Sequence, residues 1–195
     1  MPDLQGTIIN LAKDDTVLID HLAVMVHAAF QAHAPGWLPT IQDARDEVLG
    51  SLESGKISRV LVDESRQPLG WIGAIPQSSG RVWEIHPLAV APAAQGRGYG
   101  RMLIADIERM AHVAGALTLL VGTSDATNAT TLSSIDLYAE PATAIATMRA
   151  LRDHPYTFYE RLGFKVVGLI PDADGIGKPG ITLAKRIPAA KQVHL

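Results

Sequence analysis

The chain contains no cysteine. Disulfides, thiolate zinc sites and cysteine nucleophiles are excluded, and the absence fits a reducing compartment. Long apolar runs are missing too: the longest, Leu22 to Phe30, is too short to span a bilayer and contains His27. Met1-Pro2-Asp3-Leu4 lacks the basic region that opens a secretory leader, so a cytoplasmic protein without membrane contact is expected. Charged residues are sparse at 19% and sum to −3, which argues against non-specific nucleic-acid binding but leaves room for a local basic phosphate site and an acidic pocket. What is there is a core: 47% hydrophobic residues in 195 predict one domain over 1–195, with Ile187 to Leu195 as a ragged tail.

The segment that organises the chain is Gln95-Gly96-Arg97-Gly98-Tyr99-Gly100. An apolar run, Ile85 to Val90, precedes it, and Met102, Leu103, Ile104, Ile107, Met110 and Val113 follow at helical spacing, so the reading is strand, glycine loop, helix. Glycines let consecutive backbone N–H groups converge on one point, and the helix adds its unpaired donors and positive dipole end. Arg97 and Arg101 place positive charge beside this phosphate-binding candidate.

Before the loop, Thr7 to Leu11 reads as a strand and Asp14 or Asp15 caps a helix carrying Leu18, Leu22, Met25 and Val26. Trp37 sits on a loop, either plugging the core or lining a pocket mouth. Thr40 and Asp43 form a capping box for a second helix through Leu52. Ser58 to Val62, Leu69 to Ile75 and Arg81 to Val90 make a three-strand meander. After the glycine-loop helix, Leu117 to Gly122 closes a right-handed crossover. Gly122 to Ser134 is a long polar loop, functional or merely a surface excursion. Pro141 to Leu151 and His154 to Leu162 are read as helices, the second ended by Gly163, and Phe164–Ile170 and Gly180–Ala184 as the last strands.

Glu84 and His86 alternate with Ile85 and so share one strand face. A carboxylate in a hydrophobic strand is seldom placed there for packing, which makes Glu84 the first choice for a general base. Burial or an intervening water must then help it, because its ordinary pKa of ~4.3 lies far below that of an amine. His86 needs less tuning, though a structural histidine before Pro87 is an equal reading.

The order of elements resembles the GNAT superfamily of acetyl-CoA-dependent N-acetyltransferases. Its pyrophosphate loop, Gln/Arg-x-x-Gly-x-Gly/Ala, is matched by Gln95, Gly98 and Gly100, and its Phe-Tyr-x-x-x-Gly-Phe motif by Phe158, Tyr159, Gly163 and Phe164. Trp83-Glu84-Ile85-His86-Pro87-Leu88, Thr130 to Ser133 leading to Asp136-Leu137-Tyr138, and His154-Pro155-Tyr156 through Lys178-Pro179 look like aminoglycoside 6′-N-acetyltransferases. That likeness runs from about Trp71 to Lys185. Two departures stand out: Arg152 where the superfamily often has Asn, and Gly180 where the subgroup usually has Asp after Lys-Pro.

The resemblance implies an α/β GNAT fold: one mixed, mostly antiparallel sheet flanked by helices and splayed at the cofactor cleft. It implies acetyl-CoA as co-substrate, held by backbone amides of Gln95, Gly96, Arg97, Gly98, Tyr99, Gly100 and Arg101. Leu88 N–H would face the thioester oxygen, Val90 would pair with pantetheine, and Tyr159 would protonate the departing thiolate. The acceptor would be a small cationic amine, met by Asp136 first and Asp125 next, with Trp37 stacking on a sugar ring. No metal is required, and a homodimer is implied. A GNAT acting on a polyamine or peptide N-terminus is the alternative.

Overall fold

Hydrophobic periodicity and capping set where the elements begin and end. The computed structural model describes residues 6–32 and 34–188. The chain runs β1 (Thr7–Asn10), α1 (Thr16–Phe30), α2 (Ile41–Gly50), β2 (Ile57–Val62), β3 (Pro68–Gln77), β4 (Val82–Val90), α3 (Tyr99–Val113), β5 (Thr118–Ser124), α4 (Pro141–Thr147), α5 (Pro155–Arg161), β6 (Lys165–Ile170) and β7 (Gly180–Arg186). Asp15 caps α1 by accepting from Leu18 N–H. Thr40 and Asp43 form the expected reciprocal capping box on α2.

The strands form one sheet in the order β1-β2-β3-β4-β5-β7-β6. Every pairing is antiparallel except β4 with β5, which α3 joins as a crossover. Two cores cover its two faces. Leu18, Ile19, Leu22 and Val26 of α1, with Ala44 and Val48 of α2, pack on Val60, Trp71 and Ala89. On the opposite face, Leu103, Ile104 and Ile107 of α3 meet Trp83, Ile85, Leu119 and Val121, with Tyr156 and Tyr159 of α5 beside them.

Two expectations change. The alanine-rich helix stops at Thr147 rather than reaching Leu151, because the next backbone groups pair with the polar loop. Thr131 N–H bonds to Arg149 O, Leu151 N–H bonds to Ala129 O, and Ala150 bridges Thr130. The tail also begins later than Ile187: that residue is buried and its N–H bonds to Leu117 O. Residues 189–195 of the expected tail lie outside the described part.

Candidate active site

A bulge in β4 creates the site. Ala74 pairs with Ile85 and Ile72 with Leu88, so His86 and Pro87 together oppose the single residue Gly73. A Cβ at Gly73 would lie 2.1 Å from the His86 carbonyl oxygen, so only glycine fits there. The extra residue reverses side-chain parity: Ile85 and Leu88, three apart, both pack against the α3 core. Leu88 is therefore on the face opposite to His86, an outcome that simple alternation through the strand does not give.

Beyond the bulge the sheet opens. β4 pairs with β5 only as far as Ile85 opposite Val121. On its other edge, Ala91 N–H donates to Leu69 O, which by antiparallel alternation makes Ala89–Trp71 the next hydrogen-bonded pair. The N–H groups of Leu88 and Val90 consequently point away from β3, into the gap where β5 has diverged. Gln95 Nε2 donates to Val90 O at 3.2 Å and closes the end of that gap. The result is a cleft of about 400 Å³ between β4 and residues 122–124 of β5, a volume suited to a small ligand.

The glycine loop lies at one end. Gly96 and Gly98 have φ of 74° and 94°, values that L side chains resist, and Gly98 is the N-cap of α3 with no side-chain cap. In the first turn of α3 the N–H groups of Gly100 and Arg101 precede the first residue with an i−4 helical acceptor and are oriented toward a ligand at the helix start. Gly100 serves packing instead: a Cβ there would come within 3.0 Å of Phe158 Cζ. Tyr99 turns its side chain into the core, so its contribution to the loop is backbone. Arg97 and Arg101 are exposed, and among the described residues neither forms an ion pair. Unpaired strand amides, an uncapped helix start and free cations fit the phosphate and pantetheine portions of coenzyme A.

Tyr159 lines the cleft from α5, with edge-on contacts to Phe158 and Phe164 at 5.1 and 5.4 Å between centroids. Burial pushes its phenol well above the ordinary tyrosine range, so it stays protonated. His86 lines the opposite side, 3.4 Å through Nε2 from Glu47 Oε1 on α2. The Glu47 carboxylate raises the His86 pKa against partial burial; Glu84 adds to the rise and Lys56 opposes it. Trp37 is exposed and lines the cleft rather than plugging the core. It packs edge-on against Phe30 at 4.6 Å and lies 5.5 Å from the His86 ring at the cleft mouth.

Other expected residues are placed elsewhere. Glu84 accepts from Gln77 Nε2 and is not among the cleft-lining side chains. Asp125, expected to meet the acceptor, is wholly buried and accepts from Ala129 N–H, Thr130 N–H and Thr130 Oγ1. A carboxylate with no surface cannot reach a polycation; it pins the polar loop instead. Asp136 is exposed, accepts from Tyr138 N–H and does not line the cleft. The carboxylate that does is Asp174, in the β6–β7 loop. Thr123 also lines the cleft, and its Oγ1 is buried with no partner among the described residues. Nothing local marks Thr123, whose place in the cleft depends on strands distant in sequence. Among the described residues no three histidines or carboxylates are grouped to hold a metal ion.

The Acetyltransferase (GNAT) family model matches residues 24–140, more than half the chain. The chain belongs to the GNAT acetyltransferase family. Among solved structures, this GNAT chain is similar to an aminoglycoside 6′-N-acetyltransferase complexed with coenzyme A, at 33% identity and TM-score 0.84, covering 95% of this chain and 99% of that one. The aminoglycoside 6′-N-acetyltransferase from Enterococcus faecium gives 33% identity and TM-score 0.82 over the same shares. Aminoglycoside 6′-acetyltransferase type Ii gives 28% and 0.68, covering 94% and 99%. No curated protein matches the sequence. The GNAT enzyme is thus an acetyl-CoA-dependent acetyltransferase with a mixed, mostly antiparallel sheet.

Proposed function

We propose that the chain transfers an acetyl group from acetyl-CoA to the 6′-amine of aminoglycosides, as one domain over 1–195, in the cytoplasm. The observation that carries the acceptor assignment is 33% identity to two aminoglycoside 6′-N-acetyltransferases across 95% of the chain.

Acetyl-CoA supplies the acetyl thioester. The amides of Gly96 to Arg101 hold the pyrophosphate, with Arg97 and Arg101 as charge partners; Gln95, whose own N–H donates to Pro92 O, closes the end of the cleft instead. Val90 N–H holds pantetheine, and Leu88 N–H meets the acyl oxygen as charge develops there. His86 takes the amine proton; we assign this step to it over Glu84 because its ring lines the cleft. Tyr159, kept protonated by burial, gives its proton to the departing sulfur. Asp174 meets an ammonium of the acceptor and Trp37 offers a ring face at the mouth.

Cytoplasmic placement is supported by the lack of cysteine and agrees with there being no described helix long and apolar enough to cross a membrane. A homodimer is part of the same proposal, supported by exposed Val167 on β6 at the sheet edge. Sedimentation at micromolar concentration tests it. Thiol release with acetyl-CoA and, in parallel, kanamycin, neamine, spermine and a peptide amine tests the acceptor. Turnover should appear with the first two; tight acetyl-CoA binding without it would remove the assignment.

A further inference from the structure

α2 is docked by Ala44 and Val48, and Glu47, next to Val48 and three residues after Ala44, shares that inward face. Its side chain is 26% exposed, and its Oε1 lies 3.4 Å from His86 Nε2. The indole of Trp37, itself braced edge-on by Phe30, stands 5.5 Å from the same imidazole. The ring that lines the cleft is therefore held between a carboxylate from one element and an aromatic from another. A carboxylate facing Nε2 selects the tautomer with its proton on that nitrogen, and Nδ1 is left as the acceptor.

We propose that Glu47 is a positioning residue for acyl transfer, fixing the tautomer and orientation of His86 so that Nδ1 receives the proton of the attacking amine. The inference rests on the transfer proposed above. The reaction step balances: the amine nitrogen gains the acyl carbon and loses a proton to Nδ1, the C–S bond breaks as Tyr159 protonates the sulfur, and the proton on His86 returns through water to the Tyr159 oxygen, so that both side chains end as they began. The charged groups around His86 are Glu47 from α2, Glu84 on its own strand and Lys56 from the segment after α2. Lys56 is engaged by Glu53 at 2.9 Å and the Gly50 carbonyl at 3.1 Å, so Glu47 is the dominant partner.

The test is the pH dependence of kcat/KM with acetyl-CoA and neamine for wild type, Glu47→Gln and Glu47→Asp, beside an NMR titration of the His86 ring assigned with His86→Asn. Glu47→Gln should lower the His86 midpoint and carry the acidic limb of kcat/KM down with it. Its plateau kcat should fall roughly tenfold, a fraction of what a general base contributes. KM for both substrates should stay within about twofold, and Glu47→Asp should recover part of the loss. An unmoved His86 midpoint in Glu47→Gln overturns the proposal, as does a moved midpoint with an unmoved acidic limb. So does a raised neamine KM at unchanged plateau kcat, which would make Glu47 an ammonium anchor. If wild type does not turn over neamine, the acceptor assignment fails, and the His86 titration still decides the pairing.

Discussion

Two side chains with pKa values displaced in the same direction face each other across the cleft, and their chemistry differs because one is a base and the other an acid. His86 is raised by Glu47, so it stays protonated above the ordinary value of ~6.5, and its base form appears only as pH rises through the raised value. The rate kcat/KM should therefore climb with pH, with a midpoint above that ordinary value; a midpoint at or below it would take the step away from a His86 paired with Glu47. Tyr159 is raised by burial, so no alkaline loss from its phenol should appear below pH ~10. Tyr159→Phe should cut kcat by about a hundredfold while the acetyl-CoA dissociation constant, read by calorimetry, hardly changes. Asp125 belongs to stability instead. Asp125→Ala strands two buried N–H groups and the Thr130 hydroxyl, which should cost about 3 kcal/mol and lower Tm by roughly 6–12 °C in calorimetry. The sequence offered Asp125, in a polar loop, as a second carboxylate for the acceptor. Nothing in it tells that the loop folds back on its own carboxylate.

At the scale of elements, the decisive feature is the departure of β4 from β5, produced by one extra residue opposite Gly73. Gly73→Ala should destabilise by about 1–3 kcal/mol, since its Cβ would meet backbone rather than a movable side chain. It should also weaken acetyl-CoA binding in calorimetry, because Leu88 and Val90 N–H groups would shift; unchanged binding would separate the bulge from the cofactor. The strand–loop–helix around Gln95 to Gly100 was legible in sequence because glycines, apolar spacing and a helix follow one another locally. The capping box of α2 was legible for the same reason. The bulge was not: Gly73 and the His86–Pro87 pair lie on different strands, and neither is unusual alone. The end of α4 at Thr147 was hidden likewise, since alanine-rich sequence favours continuing the helix while Thr130, Thr131 and Ala129 claim the following backbone from a distance.

Over the whole molecule, each half of the chain supplies one wall of the cleft. Phe30, Trp37 and His86 come from the first half; Thr123, Tyr159 and Asp174 come from the second. Anything that binds both walls should stabilise the native state as a unit. Acetyl-CoA at a hundred times its dissociation constant should add about 2.7 kcal/mol, or roughly 5–10 °C in Tm. A flat melting temperature across that titration would mean that the cleft does not hold the cofactor. The acceptor is the larger claim, and it turns on one substituent. Neomycin and paromomycin share the same cationic frame but carry an amine and a hydroxyl, respectively, at the 6′ carbon. Thiol release from acetyl-CoA should proceed with neomycin and be at least about a hundredfold slower with paromomycin. Equal rates with the two antibiotics, or no rate with either while spermine is acetylated, would contradict 6′-N-acetylation.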